Sequence, residues 1–377
     1  MKRRTVICLF LMITVFNNVK SGNTFYSAQF FSEKAQNTPI NAVLLLPASS
    51  GNRMIEYYEG FLLALQEVKA AGISVNLQVF DIGQGTEKLP AIFSELQWTD
   101  IQLIIGGLSD KQIQRIADFS QTKHAIYVIP FTSKTDVPLT NPLVYQINTP
   151  QTHLYEKASE TFCRKYKNAN IIFFMPGGQG NKSDFIARLQ EDLQAQGVIF
   201  QQHTSKHFMA SDLLAKVADD KENVIVASDD SETVLSELLS ACRFLAHEKP
   251  ETAVSLFGHP AWQVSAAEHS DDFFRFRVSF YSVFYADLMS SQVKNFRHQF
   301  RYWYSREMLN SYPKYGLLGY DTALYFLYSM LGEGDRFSGL QTDFYFERMQ
   351  EGGGWINTNL YWLQFRTDYT LSVEQLK

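Results

Sequence analysis

The 377-residue chain carries 34 Lys and Arg against 39 Asp and Glu, a net charge of -5, with 45% hydrophobic and 19% charged residues. That apolar content fills a large core and excludes a disordered chain, and the length suits two ordinary domains. The acidic balance argues against a general binder of nucleic acid or of anionic membranes. The 14% aromatic content reads first as a well-filled core.

Residues 1–21 read as a signal peptide. Lys2, Arg3 and Arg4 form the basic start, Thr5–Phe16 the short apolar core and Val19-Lys20-Ser21 the small-residue exit. Cleavage is expected after Ser21, with Ala28 the alternative. Cys8 lies inside the apolar core, so no lipobox is present. The core is too short to span a bilayer, and no later apolar run reaches about eighteen residues. The expectation is an exported, periplasmic chain with no transmembrane segment when mature. Cys163 and Cys242 then remain, and an oxidising compartment allows either a disulfide or two buried thiols.

Residues 22–39 are a polar lead-in. Ala42–Leu46 reads as a buried strand, Pro47–Asn52 as a small-residue loop, and the following stretch as a helix. Tyr57, Phe61, Ala64, Leu65 and Val68 make one apolar face of that helix. Strand Val75–Asp81, helix Glu87–Leu96, strand Ile101–Ile105, helix Lys111–Ser120 and strand Ala125–Pro130 follow. Next come the polar loop Phe131–Pro138 and a short strand, Val144–Asn148. The alternation restarts with helix Thr152–Tyr166, strand Ile171–Met175, helix Lys182–Gln196 and strand Val198–His203. It continues through helix Ser211–Ala218, strand Asn223–Ala227, helix Glu232–Phe244, and strands Ala253–Phe257 and Phe274–Phe280. Two helical patterns, Gln292–Leu309 and Tyr320–Leu331, come after Val283. Trp355–Phe365 with Thr367–Leu371 reads as a hairpin-like return. Alternation of this kind implies α/β architecture with mostly parallel sheets covered by helices on both faces.

The phrase P-x-x-S-G at Pro47–Gly51, followed by E-G-F-x-x-A-L at Glu59–Leu65, resembles the opening of the type I periplasmic-binding superfamily, which includes leucine-binding and receptor-ligand-binding proteins. Gly319-Tyr320-Asp321-Thr322-Ala323 is similar to that family's G-Y-D-A helix entry, with Asp321 most simply a helix cap. The resemblance covers about residues 40–371 and implies two lobes joined by about three crossings. These would fall near 148, 283 and 334, making lobe 1 from 40–148 plus 284–333 and lobe 2 from 149–283 plus 334–377. Gly332–Gly339 is the hinge candidate.

Open α/β sheets bind ligands at the carboxyl ends of their strands. Ser49, Ser50, Ser109, Phe131, Thr132 and Ser133 occupy such loops in lobe 1, where hydroxyls beside helix N-termini suit an anion. The resemblance places a ligand carboxylate on Ser109 and Phe131–Ser133; a plainer reading makes these caps and turn residues. In lobe 2 the matching loops hold Gly177, Gly178, Asp229, Asp230, His259 and Trp262, with Trp262 able to stack on a ligand. Amino-acid binders of this family put an acidic side chain after the strand that here leads into Gly258-His259-Pro260. That departure tells against a free amino acid.

Enzyme and metal motifs fail on spacing. Lys111 stands where a nucleophile elbow needs its second Gly, and Asn181 separates Gly180 from Lys182, where a P-loop joins them. His203 and His207 have no third ligand nearby, and Asp219-Asp220 and Asp271-Asp272 read as solvated charges. The expectation is a non-enzymatic solute-binding protein without cofactor or metal. It would hold a small polar, amino acid-like or peptide-like ligand between two lobes and serve an ABC-transporter permease. The alternative is a cell-envelope interaction protein on the same fold, similar to an outer-membrane activator of penicillin-binding proteins, with a cell-wall synthesis partner. The chain also resembles Bacteroidota envelope proteins that join this fold to a LysM domain, here with no LysM-like segment.

Overall fold

The computed structural model describes residues 38–48, 51–177, 180–206, 209–334 and 337–376. The signal peptide with Cys8, nearly all of the lead-in, Ser49, Ser50, Gly178 and His207 lie outside the described residues.

The first stretch runs β1 (Ile40–Leu46), α1 (Asn52–Ala70), β2 (Val75–Asp81), α2 (Leu89–Glu95), β3 (Leu103–Gly106), α3 (Asp110–Lys123), β4 (Ile126–Ile129) and β5 (Val144–Gln146). The second runs α4 (Gln151–Tyr166), β6 (Asn170–Pro176), α5 (Ser183–Ala195), β7 (Phe200–Ser205), α6 (Ala210–Leu214), β8 (Asn223–Ala227), α7 (Glu232–Glu248), β9 (Val254–Phe257), α8 (Ser270–Arg275) and β10 (Ser279–Ser282). Helices α9 (Ser291–Tyr304) and α10 (Tyr315–Met330) and strands β11 (Phe346–Arg348), β12 (Trp355–Asn357), β13 (Leu360–Phe365) and β14 (Leu371–Leu376) close the chain.

Two compact units result. Unit 1 takes the chain up to Pro150 and Tyr285–Asn359; unit 2 takes Gln151–Phe284 and the chain from Leu360. Each contains a seven-stranded sheet, ordered β2-β1-β3-β4-β5-β12-β11 in unit 1 and β7-β6-β8-β9-β10-β13-β14 in unit 2. The first five strands repeat one order and direction, but the sixth differs: β12 runs parallel to β5, whereas β13 runs antiparallel to β10. The first five strands of each list pair in parallel, with Leu44 opposite Ile105 and Ile172 opposite Ile225. Strands β3, β4, β8 and β9 are buried along their whole length, which explains why they read as unbroken apolar runs. In unit 1, Val43, Leu45, Ile104, Ile113, Ile116 and Ile129 form one core layer, each such side chain contributing about 1.5–3 kcal/mol on burial.

Four expectations are corrected. The third crossing falls after Asn359, not near 334. Strand β12 adds in parallel to β5 (Trp355 opposite Tyr145) and β11 pairs antiparallel with β12, so residues through 359 complete the first sheet. Gly332–Gly339 therefore lies within unit 1 and joins no two units. Gly332 ends α10 at φ +73°, and a Cβ on Gly339 would stand 1.8 Å from Thr342 O. The stretch Trp355–Phe365 is two strands in two sheets, parted where buried Asn357 takes N–H groups from Tyr345 and Asn359 and donates to Ile147 O; only β13 and β14 form a hairpin. Phe274–Phe280 is not one strand, because α8 runs through Arg275 and β10 starts at Ser279.

The fourth correction concerns α10. It begins at Tyr315, five residues before the expected start, so Asp321 is buried inside the helix and caps nothing. Gly316 and Gly319 are packing positions: a Cβ on Gly60 would lie 1.8 Å from Gly316 O, and one on Gly319 would lie 2.0 Å from Tyr57 O. Glycine at these positions lets α1 and α10 touch backbone to backbone. Cys163 and Cys242 are buried free thiols. Burial pushes Cys163 up to about 11 and Cys242 higher still, so both stay protonated at neutral pH.

Candidate functional site

In each sheet the strand order reverses beside one strand, β1 in unit 1 and β6 in unit 2, and the crevice at such a point is where open sheets receive ligands. On unit 1 the loop after β1 is pinned by Asp81, whose Oδ1 accepts from Ala48 N and Gly83 N (both 3.0 Å). Burial alone would raise the Asp81 carboxyl, but bonds from Lys88, Gly83 and Ala48 hold it below its ordinary value. Helix α1 opens at Gly51 (φ +100°), and among the described residues no side chain caps its first-turn N–H groups.

After β3, Gly106 and Gly107 take φ +136° and +79°, and a Cβ on Gly106 would meet Leu45 O at 1.9 Å. Ser109 is the N-cap of α3: its Oγ accepts from Gln112 N (3.4 Å) while Gln112 Oε1 accepts from Ser109 N (3.3 Å) and Leu108 N (3.1 Å). Fully buried Gln112 also donates from Nε2 to Gly83 O (3.0 Å) and Gly85 O (2.8 Å). It thus fixes the loops after β2 and β3 to each other. Sequence reasoning missed Gln112; the S-x-x-Q spacing of a capping box was its signal.

The loop after β4 places Phe131 edge-on to Tyr57 (centroids 4.9 Å, 74°) and 6.2 Å from Tyr315. The Arg53 guanidinium lies 5.8 Å from the Tyr315 centroid. Burial pushes the Tyr315 hydroxyl up, and Arg53 opposes that shift. Thr132 Oγ1 accepts from Lys134 N (3.0 Å), and its carbonyl accepts from Gln146 Nε2 (3.1 Å). Thr132 and Ser133 are half-buried, whereas Ser109 is exposed. Arg53, on the first turn of α1, was also missed.

On unit 2, Gly177 takes φ +62° and donates to Ser205 O (3.0 Å). A Cβ on Gly180 would meet Ser228 O at 1.9 Å, so these two loops touch. Asp229 accepts from Asn181 N (3.0 Å) and Ser231 N (2.9 Å). Asp230 accepts from Asn181 Nδ2 (2.6 Å) and pairs with Lys182 Nζ at 2.8 Å. Burial works against both charges, yet these bonds keep both carboxyls below their ordinary range.

His259 and Trp262 do not line an open surface. Both are buried, and a Cβ on Gly258 would strike the Trp262 ring at 2.1 Å, so that ring is packed on its own loop and cannot stack on a ligand. His259 Nε2 bonds to Ala227 O (2.7 Å), and burial lowers its pKa to about 4. The imidazole is neutral at pH 7. Ser228 Oγ, His259 Nδ1 and Trp262 Nε1 are buried without a hydrogen-bond partner among the described residues. No cluster of metal-ligating side chains occurs among the described residues, and His203 contacts Asp212 at 3.2 Å.

No family model matches the chain, and no curated protein matches it. Solved structures do. Over 89% of its length the chain is similar to a branched chain amino acid ABC transporter periplasmic ligand-binding protein from Burkholderia xenovorans (14% identity, 95% of that chain, TM-score 0.60). It is also similar to an ABC transporter substrate-binding protein from Desulfitobacterium hafniense in complex with Leu (16% identity, 89% of this chain and 100% of that one, TM-score 0.53). A third is the C-domain of LpoA from Haemophilus influenzae, described as a regulator of PBP1A (16% identity, 89% and 99% covered, TM-score 0.54).

The chain has the type I periplasmic-binding fold. Identities this low carry the fold and not the ligand. Within the type I periplasmic-binding fold, the residues singled out from sequence fall into two sets. Ser109, Phe131, Thr132 and Ser133 follow β3 and β4 on the sheet of unit 1, at whose β1 end Arg53 begins α1. Asp229 and Asp230 follow β8 on unit 2 and are already matched by Asn181, Ser231 and Lys182.

Proposed function

We propose that this chain is an exported, non-enzymatic binding protein whose ligand is a small polar molecule, amino acid-like or peptide-like, carrying a carboxylate or similar anionic group. The groups following β1, β3 and β4 of unit 1 carry this reading. The hydroxyls of Ser109, Thr132 and Ser133 and the first-turn N–H groups of α1 are donors suited to an anion. Arg53, set over the Tyr315 ring, adds a cation beside an aromatic surface for the ligand's apolar part. The partner on this reading is an ABC-transporter permease, and the compartment is the periplasm.

A second reading is favoured by the Lys182–Asp230 pair at 2.8 Å. The acidic groups that would meet an α-ammonium on unit 2 are already countered, which fits a cell-envelope regulator without a transport ligand. Its partner would be a cell-wall synthesis protein, as for a peptidoglycan-synthesis activator.

A thermal-shift screen of the chain from Gly22 separates the two, using amino acids, short peptides, nucleosides, sugars and muropeptide fragments. A ligand at a hundred times its Kd stabilises the native state by about 2.7 kcal/mol, several degrees in the melting midpoint. With a hit in hand, Ser109→Ala with Thr132→Ala is expected to weaken binding roughly tenfold or more, since a hydrogen bond to a charged group contributes about 1.5–3 kcal/mol. Unchanged affinity would sink the site. Silence across the panel from a folded chain would favour the regulator.

A further inference from the structure

Residues 288–306 contain Lys294, Arg297, Arg301 and Arg306 and no Asp or Glu, in a chain where acids outnumber bases. Helix α9 occupies most of this stretch. It is capped by Ser290, whose Oγ accepts from Val293 N (3.3 Å) and donates to Asp287 O (2.8 Å). Its apolar stripe is fully used: Val293, Phe296 and Phe300 are buried with Leu63 and Leu317. What points outward is therefore not needed to dock the helix.

Lys294, His298, Arg301 and Tyr302 recur at i, i+4, i+7 and i+8, which sets them in one row on the outer surface, and all four are exposed. Arg297 and Arg301 share the single carboxylate of Glu307, and Arg306 is taken up by Glu56 and Glu59. Lys294 and His298 have no carboxylate partner among the described residues. Tyr302 closes the row, while Trp303, the next residue, is turned about 100° further round the helix. Tyr302 is 73% and Trp303 55% exposed, set edge-to-face at 5.4 Å, and Met289 before the helix is 73% exposed.

We propose that this outer face of α9 is a docking surface for an anionic lipid bilayer. Lysine and arginine reach lipid phosphates, while Tyr and Trp, apolar in body and polar at one tip, settle at the headgroup level. Lys294 and Tyr302 are eight residues apart on α9, about 12 Å of helix, so the row presents one straight basic and aromatic edge to a broad, flat partner. An acidic peptide would need a groove, and an outward helix face is convex. The net charge of -5 argues against general adhesion to anionic membranes but not against a contact confined to this face, because charges more than about 8 Å away are screened at physiological ionic strength.

Sedimentation of the chain from Gly22 with vesicles tests the proposal. Binding is expected to phosphatidylethanolamine–phosphatidylglycerol vesicles and not to phosphatidylcholine vesicles, and it should fall as salt rises. Each basic residue at an anionic surface contributes about fivefold in affinity, so Lys294→Ala with Arg301→Ala should weaken binding roughly 25-fold. Tyr302→Ala should weaken it at every salt concentration. Lys249→Ala, on unit 2, should leave it unchanged. Lys294, Arg301 and Tyr302 are exposed and Lys249 is half-buried, and an unchanged melting midpoint verifies folding. Equal binding to both vesicle types, no binding to either, equal sensitivity to Lys249→Ala, or equally tight binding to soluble polyglutamate would overturn the proposal.

Discussion

The Asp321 carboxylate is fully buried inside α10, and its partners are the backbone N–H groups of Leu340, Gln341 and Thr342 at 2.8, 2.9 and 3.3 Å. It thereby anchors the segment that follows α10. Burial pushes its pKa up to about 7 in spite of those three bonds. An unfolded Asp titrates near 3.9, so between about pH 4 and 7 the folded chain holds a proton that the unfolded chain has lost. This contribution to stability is full below about pH 4 and is lost as pH rises through about 7. Asp321→Asn should remove that part of the slope: its urea midpoint should gain on the parent chain as pH rises from 4 to 8. A constant gap would mean that Asp321 is ionised throughout. Asp321→Ala leaves three N–H groups, those of Gln341 and Thr342 buried, without an acceptor and should cost at least about 2 kcal/mol at any pH. Sequence marks Asp321 only as the residue after Gly-Tyr, which invites a cap. Its true partners lie about twenty positions on and are set by tertiary packing.

Helix α10 shows where local patterns mislead. Its run from Tyr315 to Met330 is buried on nearly every side, so it lacks the polar stripe that marks a surface helix, and its glycines read as a start signal. They are contact points instead. Adding a methyl to a helical Gly gains about 1 kcal/mol of propensity, whereas overpacking costs about 1–3 kcal/mol or more. At Gly319 the obstacle is Tyr57 O at 2.0 Å, which no rotamer change relieves; at Gly316 it is the flexible Met308 Sδ at 3.2 Å. Gly319→Ala should therefore lower the urea midpoint, while Gly316→Ala should be close to neutral. The reverse ranking would refute the backbone contact. Elements with one exposed face or a bounded apolar run were legible: β1, α1, β3, β8 and their loops emerge from periodicity alone. In the candidate site, Ser109 was legible by its position after a strand. Gln112 and Arg53 were not found, and the burial of Trp262 depends on the packing of its own loop against Gly258.

At the scale of the molecule, two sheets alike in their first five strands draw their last strands from one continuous C-terminal stretch. Residues on either side of Thr358-Asn359 share the same apolar, aromatic character, so sequence alone merges them into one return. The division rests on Asn357, whose buried amide ends β12 by bonding Ile147 O, Tyr345 N and Asn359 N. Ile356 then belongs to the sheet of unit 1, opposite Gln146, and Leu363, only seven positions later, belongs to that of unit 2, opposite Phe280. Both are buried, and truncating either to Ala should cost about 2–5 kcal/mol. Amide hydrogen exchange tells where the loss is felt, because opening free energies are local to cooperative units. Ile356→Ala should speed exchange in β4 and β5 and leave β9 and β10 protected, and Leu363→Ala should do the opposite. If both substitutions loosen β9 and β10 alone, residues 334–377 act as one block of unit 2 and the crossing after Asn359 is wrong.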